Sequence, residues 1–303
     1  MSKRKNKKNH KIIISIIIAL IVLIFGYLGI NIDELNIDVE NLNNEVEITS
    51  NQIVEGELRV YFIDVGQADS ILVCNQNESM LIDAGNNEDG DDVVNFIKDK
   101  GITKLNYVIG THPHEDHIGG LDNVINSDLG IENILMPNIQ TNTKTFEDVL
   151  DAIANKGLKV TAPNKGDTFK IGDSNCEVMT DSILDEDNLN LSSIIIRLEF
   201  GSNSFLFMGD SEIENEKTRT WPKTDVLKVG HHCSNTSSSE IFLNQVKPSY
   251  SIIMVGKDNS YGLPKDKILD RLINIGSKIY RTDETGTIKI TSDGNTIEVH
   301  ENT

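Results

Sequence analysis

From residue 58 onward, short apolar runs alternate with polar turns, and this spacing is typical of β-strands. The first run reads LRVYFID, and DSILVCN and SMLID follow it closely. We predict strands at 58–64, 69–75, 79–83, 105–110, 168–171, 176–181, 193–200, 204–208, 225–229, 251–255, 278–281, 287–291 and 296–299. Helices are predicted at 91–100, 118–125, 212–220, 237–245 and 265–275. Groups of strands separated by single helices indicate an α/β (α+β) sandwich, in which two sheets pack face to face with helices outside.

The N-terminal part has a different texture. Residues 12–30 form 19 consecutive uncharged and mostly apolar residues, which predicts one transmembrane anchor. Residues 1–11 are basic, so the positive-inside rule leaves them in the cytoplasm and places the main domain outside the cell membrane. The acidic, asparagine-rich residues 31–57 predict a solvated linker to a domain at 58–303. A cleaved signal, which would release the domain as a secreted protein, is the alternative.

The charge of the chain limits its partners. There are 28 Lys and Arg residues against 47 Asp and Glu residues, and the net charge is -19. Six basic residues lie within the first eleven positions, so the remainder is more acidic still. Such a surface repels polyanions and disfavours nucleic acid as a partner, although bound metal ions would add local positive charge. A single predicted span is also too little for a DNA channel, so we do not expect DNA transport.

One motif carries most of the chemical signal. His112, His114, Asp116 and His117 follow the apolar strand at 105–110 and precede two glycines. Histidines two positions apart on an extended turn point the same way, so His112 and His114 are predicted to bind one ion. Asp116 and His117 are predicted to bind a second ion, and these nitrogen and oxygen donors suit zinc, with manganese or iron as alternatives.

The remaining histidines support this interpretation. The chain has seven, and five of them fall into two short motifs, each at the end of a predicted strand. The second motif contains His231 and His232. Chance placement of surface or core histidines does not explain such clustering.

Several longer stretches match a known pattern. They are FIDVGQADSILV (62–73), LIDAG (81–85), THPHEDHIGG (111–120), SSIIIRLEFGSNSFLFMGD (192–210), LKVGHHCSNTSS (227–238) and NSYGLP (259–264). Together they resemble the metallo-β-lactamase superfamily and, within it, the hydrolase domain of ComEC-type competence proteins. The resemblance implies an αβ/βα sandwich with two divalent metal ions at one edge.

The resemblance also implies roles for individual residues. His112 and His114 would hold the first metal, and Asp116 and His117 the second. Asp210 would bridge both ions, and its alternative role is a helix N-cap. One of the paired histidines would complete the second site; we predict His231, with an uncertainty of one position. Asp83 would orient a ligand histidine.

The chain departs from the family pattern at three places. No histidine lies between His117 and His231, so the first site lacks a ligand unless an oxygen donor replaces it; the candidates are Asp185, Asp187, Asn190 and Ser192. Cys233 replaces a glycine and either binds metal or fills space as a small residue. Leu263 stands where relatives often have histidine. Cys74 and Cys176 are expected to be buried, because three cysteines do not suggest a disulfide framework.

The chemistry that follows is hydrolysis by a metal-bound hydroxide. Asp116 and His232 are the predicted catalytic residues, and whichever paired histidine is not a ligand would protonate the leaving group. Lys228 and Asn259 would contact a substrate phosphate, unless they are a solvated lysine and a turn-forming asparagine. Residues 234–236 would line the pocket rim or cap the next helix.

Three functions remain open from these residues. The first is a phosphodiesterase that acts outside the cytoplasmic membrane on a small-molecule or polymer phosphodiester. The second is a lactamase or another amide or ester hydrolase, which the missing histidine disfavours. The third is a non-catalytic metal-binding module, which the complete motif disfavours.

Overall fold

In the first predicted strand, successive side chains point to opposite faces of the sheet, and this decides which core each one enters. Leu58, Val60 and Phe62 are fully buried on one face of this strand, and Tyr61 lies on the other face. This computed structural model describes residues 56–180, 183–185 and 187–303. The predicted tail, the anchor and nearly all of the linker lie outside the described residues.

In the described part, the strands form two sheets. In spatial order, the first sheet contains β15 (Ile297–His300), β14 (Ile288–Ser292), β1 (Leu58–Phe62), β2 (Ile71–Asn75), β3 (Glu78–Ile82), β4 (Lys104–Ile109), β5 (Gly130–Leu135) and β6 (Val160–Thr161). The second contains β13 (Lys278–Arg281), β12 (Tyr250–Ile253), β11 (Val226–Lys228), β10 (Asn203–Phe207), β9 (Ile196–Phe200), β8 (Ser174–Val178) and β7 (Thr168–Ile171).

Helices cover the outer faces of both sheets. They are α1 (Gly90–Asp99), α2 (Glu115–Ile118), α3 (Leu121–Asn126), α4 (Lys144–Asn155), α5 (Ile213–Glu216), α6 (Glu240–Val246), α7 (Asp266–Asn274) and α8 (Thr282–Thr285). One core lies between the sheets, a second lies under α1, α3 and α4, and a third lies under α6 and α7. The predicted two-sheet sandwich with outer helices is therefore confirmed.

The direction of the strands positions the loops that follow them. Strands β3, β4 and β5 are parallel, as are β10, β11 and β12, so in each set the carboxyl ends meet at one edge. The loops after β3 and β4 carry Asp83 and the histidine motif. The loops after β10 and β11 carry Asp210 and the paired histidines. A backbone hydrogen bond from Ile194 N to Thr111 O joins the two sheets at this edge (2.9 Å).

Some elements differ from the prediction. Strand β5 and helix α4 were not predicted; half of the residues of β5 are exposed, which weakens its apolar pattern. The predicted helix at 212–220 is a single turn, α5, and the backbone carbonyl of Glu216 accepts a hydrogen bond from Trp221 Nε1 at 2.7 Å. In the described residues, no helix has the length and apolar character needed to cross a membrane.

The predicted helix at 118–125 is divided into α2 and α3 by the two glycines of the motif. Their backbone lies against the 84–90 segment so closely that a Cβ on Gly119 would lie 2.3 Å from the backbone of Asn86 and Asn87. A Cβ on Gly120 would lie 2.4 Å from the carbonyl oxygen of Ala84. These glycines therefore allow the motif to approach the Asp83 loop.

Substitution of Gly119 tests this close approach. Gly119→Ala should lower the free energy of unfolding by about 3 kcal/mol, because backbone atoms on both sides must move. Gly130→Ala is the matched control: its nearest neighbour is the flexible Lys104 side chain, at 3.2 Å. Urea unfolding of both variants gives the comparison, and equal stability of the two would contradict the packing argument.

Candidate metal centre

The first two histidines of the motif face each other at the edge of the sandwich. His112 Nε2 lies 2.9 Å from His114 Nδ1, and their ring centroids are 4.7 Å apart. His112 is fully buried, and this burial holds its pKa well below the ordinary value. Burial also lowers the pKa of the half-buried His114. Both rings are therefore neutral near pH 7, which is the form of imidazole that binds a metal ion.

A second group lies beside this pair. Asp116, His117, Asp210 and His232 each offer one ligand atom, and these four atoms lie within 4.8 Å of one another. Asp210 Oδ1 is 3.2 Å from His117 Nε2 and 3.5 Å from His232 Nε2. His232 Nε2 is also 3.4 Å from Asp116 Oδ2. The rings of His112 and His117 are 4.1 Å apart, so the pair and the group adjoin.

The atoms at the centre of this group have no hydrogen-bond partner. His117 Nε2, Asp210 Oδ1 and His232 Nε2 are all buried, and none makes a hydrogen bond within residues 56–180, 183–185 and 187–303. Buried polar atoms are almost always satisfied in folded proteins. Two imidazole nitrogens and two carboxylates that converge in this way fit a divalent cation.

Contacts behind the rings determine which nitrogen faces the centre. Asp83 Oδ2 accepts a hydrogen bond from His117 Nδ1 at 2.8 Å, and Met254 O accepts one from His232 Nδ1 at 2.8 Å. Each contact leaves the Nε2 atom free to bind. Thr111 holds Asp83 through its backbone N–H (2.8 Å) and its hydroxyl (2.7 Å). Asp83 therefore contacts His117, as the predicted orienting role requires.

The charges in the group compensate one another. Burial alone would raise the pKa of Asp210, but His232, His117 and His231 outweigh it and hold this pKa well below its ordinary value. Burial alone would lower the pKa of His117, but Asp210, Asp83 and Asp116 raise it well above its ordinary value. The carboxyl group of Asp210 is therefore ionised in a water-poor site, where its negative charge attracts cations.

The paired histidines point in different directions. His232 is buried within the group of four, whereas His231 is about a quarter exposed and its Nε2 is 3.7 Å from Asp210 Oδ2. His231 Nδ1 contacts Thr236 Oγ1 at 2.8 Å and Glu212 Oε1 at 3.3 Å. This placement favours His232 for the metal role that we predicted for His231.

The backbone of the paired histidines is unusual. His231, His232 and Cys233 have φ values of 48°, 48° and 67°, a left-handed conformation that side chains rarely adopt. A glycine would take this conformation at position 233 without strain, in agreement with the glycine that the resemblance implies there. Cys233 is buried in the core under α6 and α7, and burial raises its pKa to about 12. Its thiol is protonated and acts as a small packing residue.

Two residues with predicted substrate contacts have other roles. Lys228 is fully buried, and its ammonium group forms an ion pair with Asp69. Asn259 stabilises the turn at residues 256–263. Its amide N–H groups donate to Gly256 O and Leu263 O, and its side-chain oxygen accepts a hydrogen bond from the Leu263 N–H. Sequence reasoning missed Asp69, although a single acid before an apolar strand was a usable signal.

The residues predicted as possible oxygen donors for the first site differ in their hydrogen bonding. Ser192 Oγ donates to Leu189 O at 2.7 Å, and Asp185 Oδ1 accepts from the backbone of Asp187. Asn190 is buried, its Nδ2 donates to Glu212 Oε1 at 3.2 Å, and its Oδ1 has no hydrogen-bond partner in the described part of the chain. Of these three residues, Asn190 has the unpartnered buried oxygen, and its amide nitrogen lies 3.4 Å from His231 Nε2.

A two-sheet sandwich with histidines and carboxylates at the strand ends is the architecture of a metal-dependent hydrolase. The chain belongs to the metallo-beta-lactamase superfamily, which its sequence matches over residues 63–257. ComE operon protein 3 of Bacillus subtilis is 33% identical over 257 residues, which cover 78% of this chain and 33% of that protein. Recombination protein 2 of Haemophilus influenzae is 28% identical over 251 residues, or 79% of this chain and 29% of that protein.

These relatives confirm the predicted resemblance to ComEC-type competence proteins. The chain spans about a third of the length of these curated relatives. Among solved structures, CmlA, a diiron β-hydroxylase from Streptomyces venezuelae, superimposes with a TM-score of 0.50. It is 14% identical, and the match covers 78% of this chain and 54% of that one, so it shows the fold alone.

Asp83 provides a test of how the group is oriented. Asp83→Asn should weaken zinc binding by about 10- to 100-fold, because an amide does not hold the His117 ring as a carboxylate does. Asp128→Asn is the control, since the Asp128 side chain is 80% exposed and contacts Lys98. Competition with a chromophoric chelator measures the affinity; an unchanged Kd for Asp83→Asn would refute the orienting role.

Proposed function

We propose that this protein is a phosphodiesterase that uses two divalent metal ions, zinc in the first instance and manganese as the alternative. The observation that carries the proposal is the convergence of unpartnered buried atoms from His117, Asp210 and His232 beside the His112–His114 pair. When bound, such a pair of ions supplies hydroxide near neutral pH and stabilises negative charge on the substrate oxygens.

The donors divide between two sites. His112 and His114 would hold the first ion, together with an oxygen donor in place of the missing histidine; Asn190 Oδ1 is the candidate that has no hydrogen-bond partner in the described residues. Asp116, His117 and His232 would hold the second ion together with Asp210, whose carboxylate lies among them. The resemblance to the family implies that Asp210 would also contact the first ion. Asp116 and His232, the predicted catalytic residues, would thus contribute as ligands of the second ion.

His231 then becomes the proton donor, because it is the paired histidine outside the group of four. Thr236 and Glu212 both contact its Nδ1, so its Nε2 faces the site from the side of Asp210. A proton held at Nε2 would be delivered to the leaving oxygen of a diester. The ring is partly exposed, so solvent can restore the proton after each turnover.

The substrate class rests on two features. No histidine lies between His117 and His231, which separates this chain from the ligand pattern of lactamases. The acidic surface disfavours free nucleic acid and leaves a small or polymeric phosphodiester as the preferred substrate. The basic segment before residues 12–30 supports a location on the outer face of the cytoplasmic membrane.

Metal content and turnover test the proposal together. The full chain, purified in mild detergent, should contain about two metal ions and hydrolyse bis-p-nitrophenyl phosphate. His114→Ala and Asp210→Asn should each reduce turnover at least about 100-fold and lower the metal content. Elemental analysis and release of p-nitrophenol are the measurements.

The alternatives give different results in the same experiment. Bound metal with hydrolysis of an amide or lactone, but not of a diester, would replace the phosphodiesterase by another hydrolase. Bound metal without turnover on any of these would indicate a binding module. A folded chain without metal would refute the metal centre.

The proton-donor role makes a separate prediction. His231→Gln should lower kcat for a poor leaving group by about 100-fold or more and retain the bound metal. Substrates whose leaving group needs no proton, such as p-nitrophenyl esters, should be affected much less. His300→Gln on β15 is the control. Loss of metal in His231→Gln would instead return His231 to the ligand set.

A further inference from the structure

A buried ion pair lies directly behind the metal-binding group. Lys228, in β11, and Asp69, before β2, are both almost completely buried, and the ammonium group pairs with Asp69 Oδ2. Lys228 Nζ also lies 3.4 Å from Gly209 O, which precedes Asp210. Burying two charges costs desolvation free energy that their mutual attraction does not always recover. Stability alone therefore does not account for this pair.

Asp69 contacts three of the four residues in the group. Its Oδ1 is 3.5 Å from His232 Nδ1, and its Oδ2 is 3.9 Å from His117 Nδ1. Its backbone N–H donates to Asp116 O at 3.0 Å. The carboxylate therefore faces the back of two imidazoles whose other nitrogens face the centre.

Asp69 is not itself placed to bind an ion. Asp69, Asp83 and His117 lie close enough to hold a cation by distance alone. The ammonium group of Lys228 already contacts Asp69 Oδ2, and Asp83 is held by Thr111 and His117. A second cation at this point would be repelled by the ammonium charge. Asp69, Asp83 and Lys228 therefore form a supporting layer behind the rings of His117 and His232.

We propose that the Asp69–Lys228 pair is a positioning and charge-balancing device that sets how tightly the second metal site binds its ion. The inference rests on the proposed metal centre. The two charges act in opposite directions: the carboxylate draws a cation toward His117 and His232, and the ammonium opposes it. In a buried region these effects are only weakly screened. Together the charges cancel and leave the site with intermediate affinity.

Opposite shifts in affinity distinguish this role from simple structural support. Lys228→Gln keeps a hydrogen-bond donor beside Asp69 but removes the positive charge, and should lower the Kd for zinc by about tenfold. Asp69→Asn leaves the ammonium unopposed and should raise the Kd by about 10- to 100-fold. The double variant should return to within a few-fold of the wild-type Kd. Structural damage would weaken binding in both single variants.

The experiment is a zinc titration of the full chain in competition with a chromophoric chelator. Lys104→Met removes one partner of the exposed Lys104–Glu132 pair and serves as the control. Circular dichroism checks that each variant is folded. If a single variant is unfolded, the double variant and the other single variant still test the inference. Weaker or unchanged binding in Lys228→Gln, or a double variant as weak as Asp69→Asn, overturns the inference.

The result is independent of the proposed activity. A wild-type chain that binds no zinc refutes the metal centre itself. A wild-type chain that binds zinc, with single variants that do not shift in opposite directions, refutes only the role of the pair. Neither reading requires the natural substrate.

Discussion

The carboxylate of Asp83 is the interaction on which the rest of the site depends. Asp83 directly follows β3, and its backbone N–H donates a hydrogen bond to Ile109 O of β4. Its two oxygens accept hydrogen bonds from Thr111 and His117, so a single buried group joins two parallel strands to the histidine motif. A buried carboxylate is stable only with such partners. The requirement to satisfy Asp83 therefore fixes the motif in place.

Close backbone packing makes this arrangement possible. Gly119 and Gly120 allow the motif to lie against the 84–90 segment, where any Cβ would collide with backbone atoms. On the opposite sheet, the left-handed backbone at His231 and His232 turns neighbouring rings to different environments. Strained backbone of this kind persists only where the surroundings hold it, and here Met254 and Thr236 do so. Part of the conformational cost of the described fold is thus located at the site.

Charge is arranged in layers around the ligand atoms. The ionised carboxylates of Asp116 and Asp210 lie among the imidazoles, and Asp83 and Asp69 lie behind them. Lys228 is a buried cation that offsets part of this negative charge on the inner side. The chain as a whole is strongly acidic, so attraction of a cation into the site and repulsion of polyanions from the surface have the same electrostatic origin.

The sequence by itself determined most of the strands, the two-sheet architecture, the family and the clustering of His112, His114, Asp116 and His117, because these follow from local apolar alternation and from motifs close together in the chain. It did not predict β5 or β6. Only the tertiary structure shows that His231 and His232 face different surroundings, since their directions depend on Met254 and Glu212, which lie on other segments. It likewise placed Lys228 beside Asp69 in the interior. Burial and pairing of charges arise from contacts between distant segments, which local patterns do not specify.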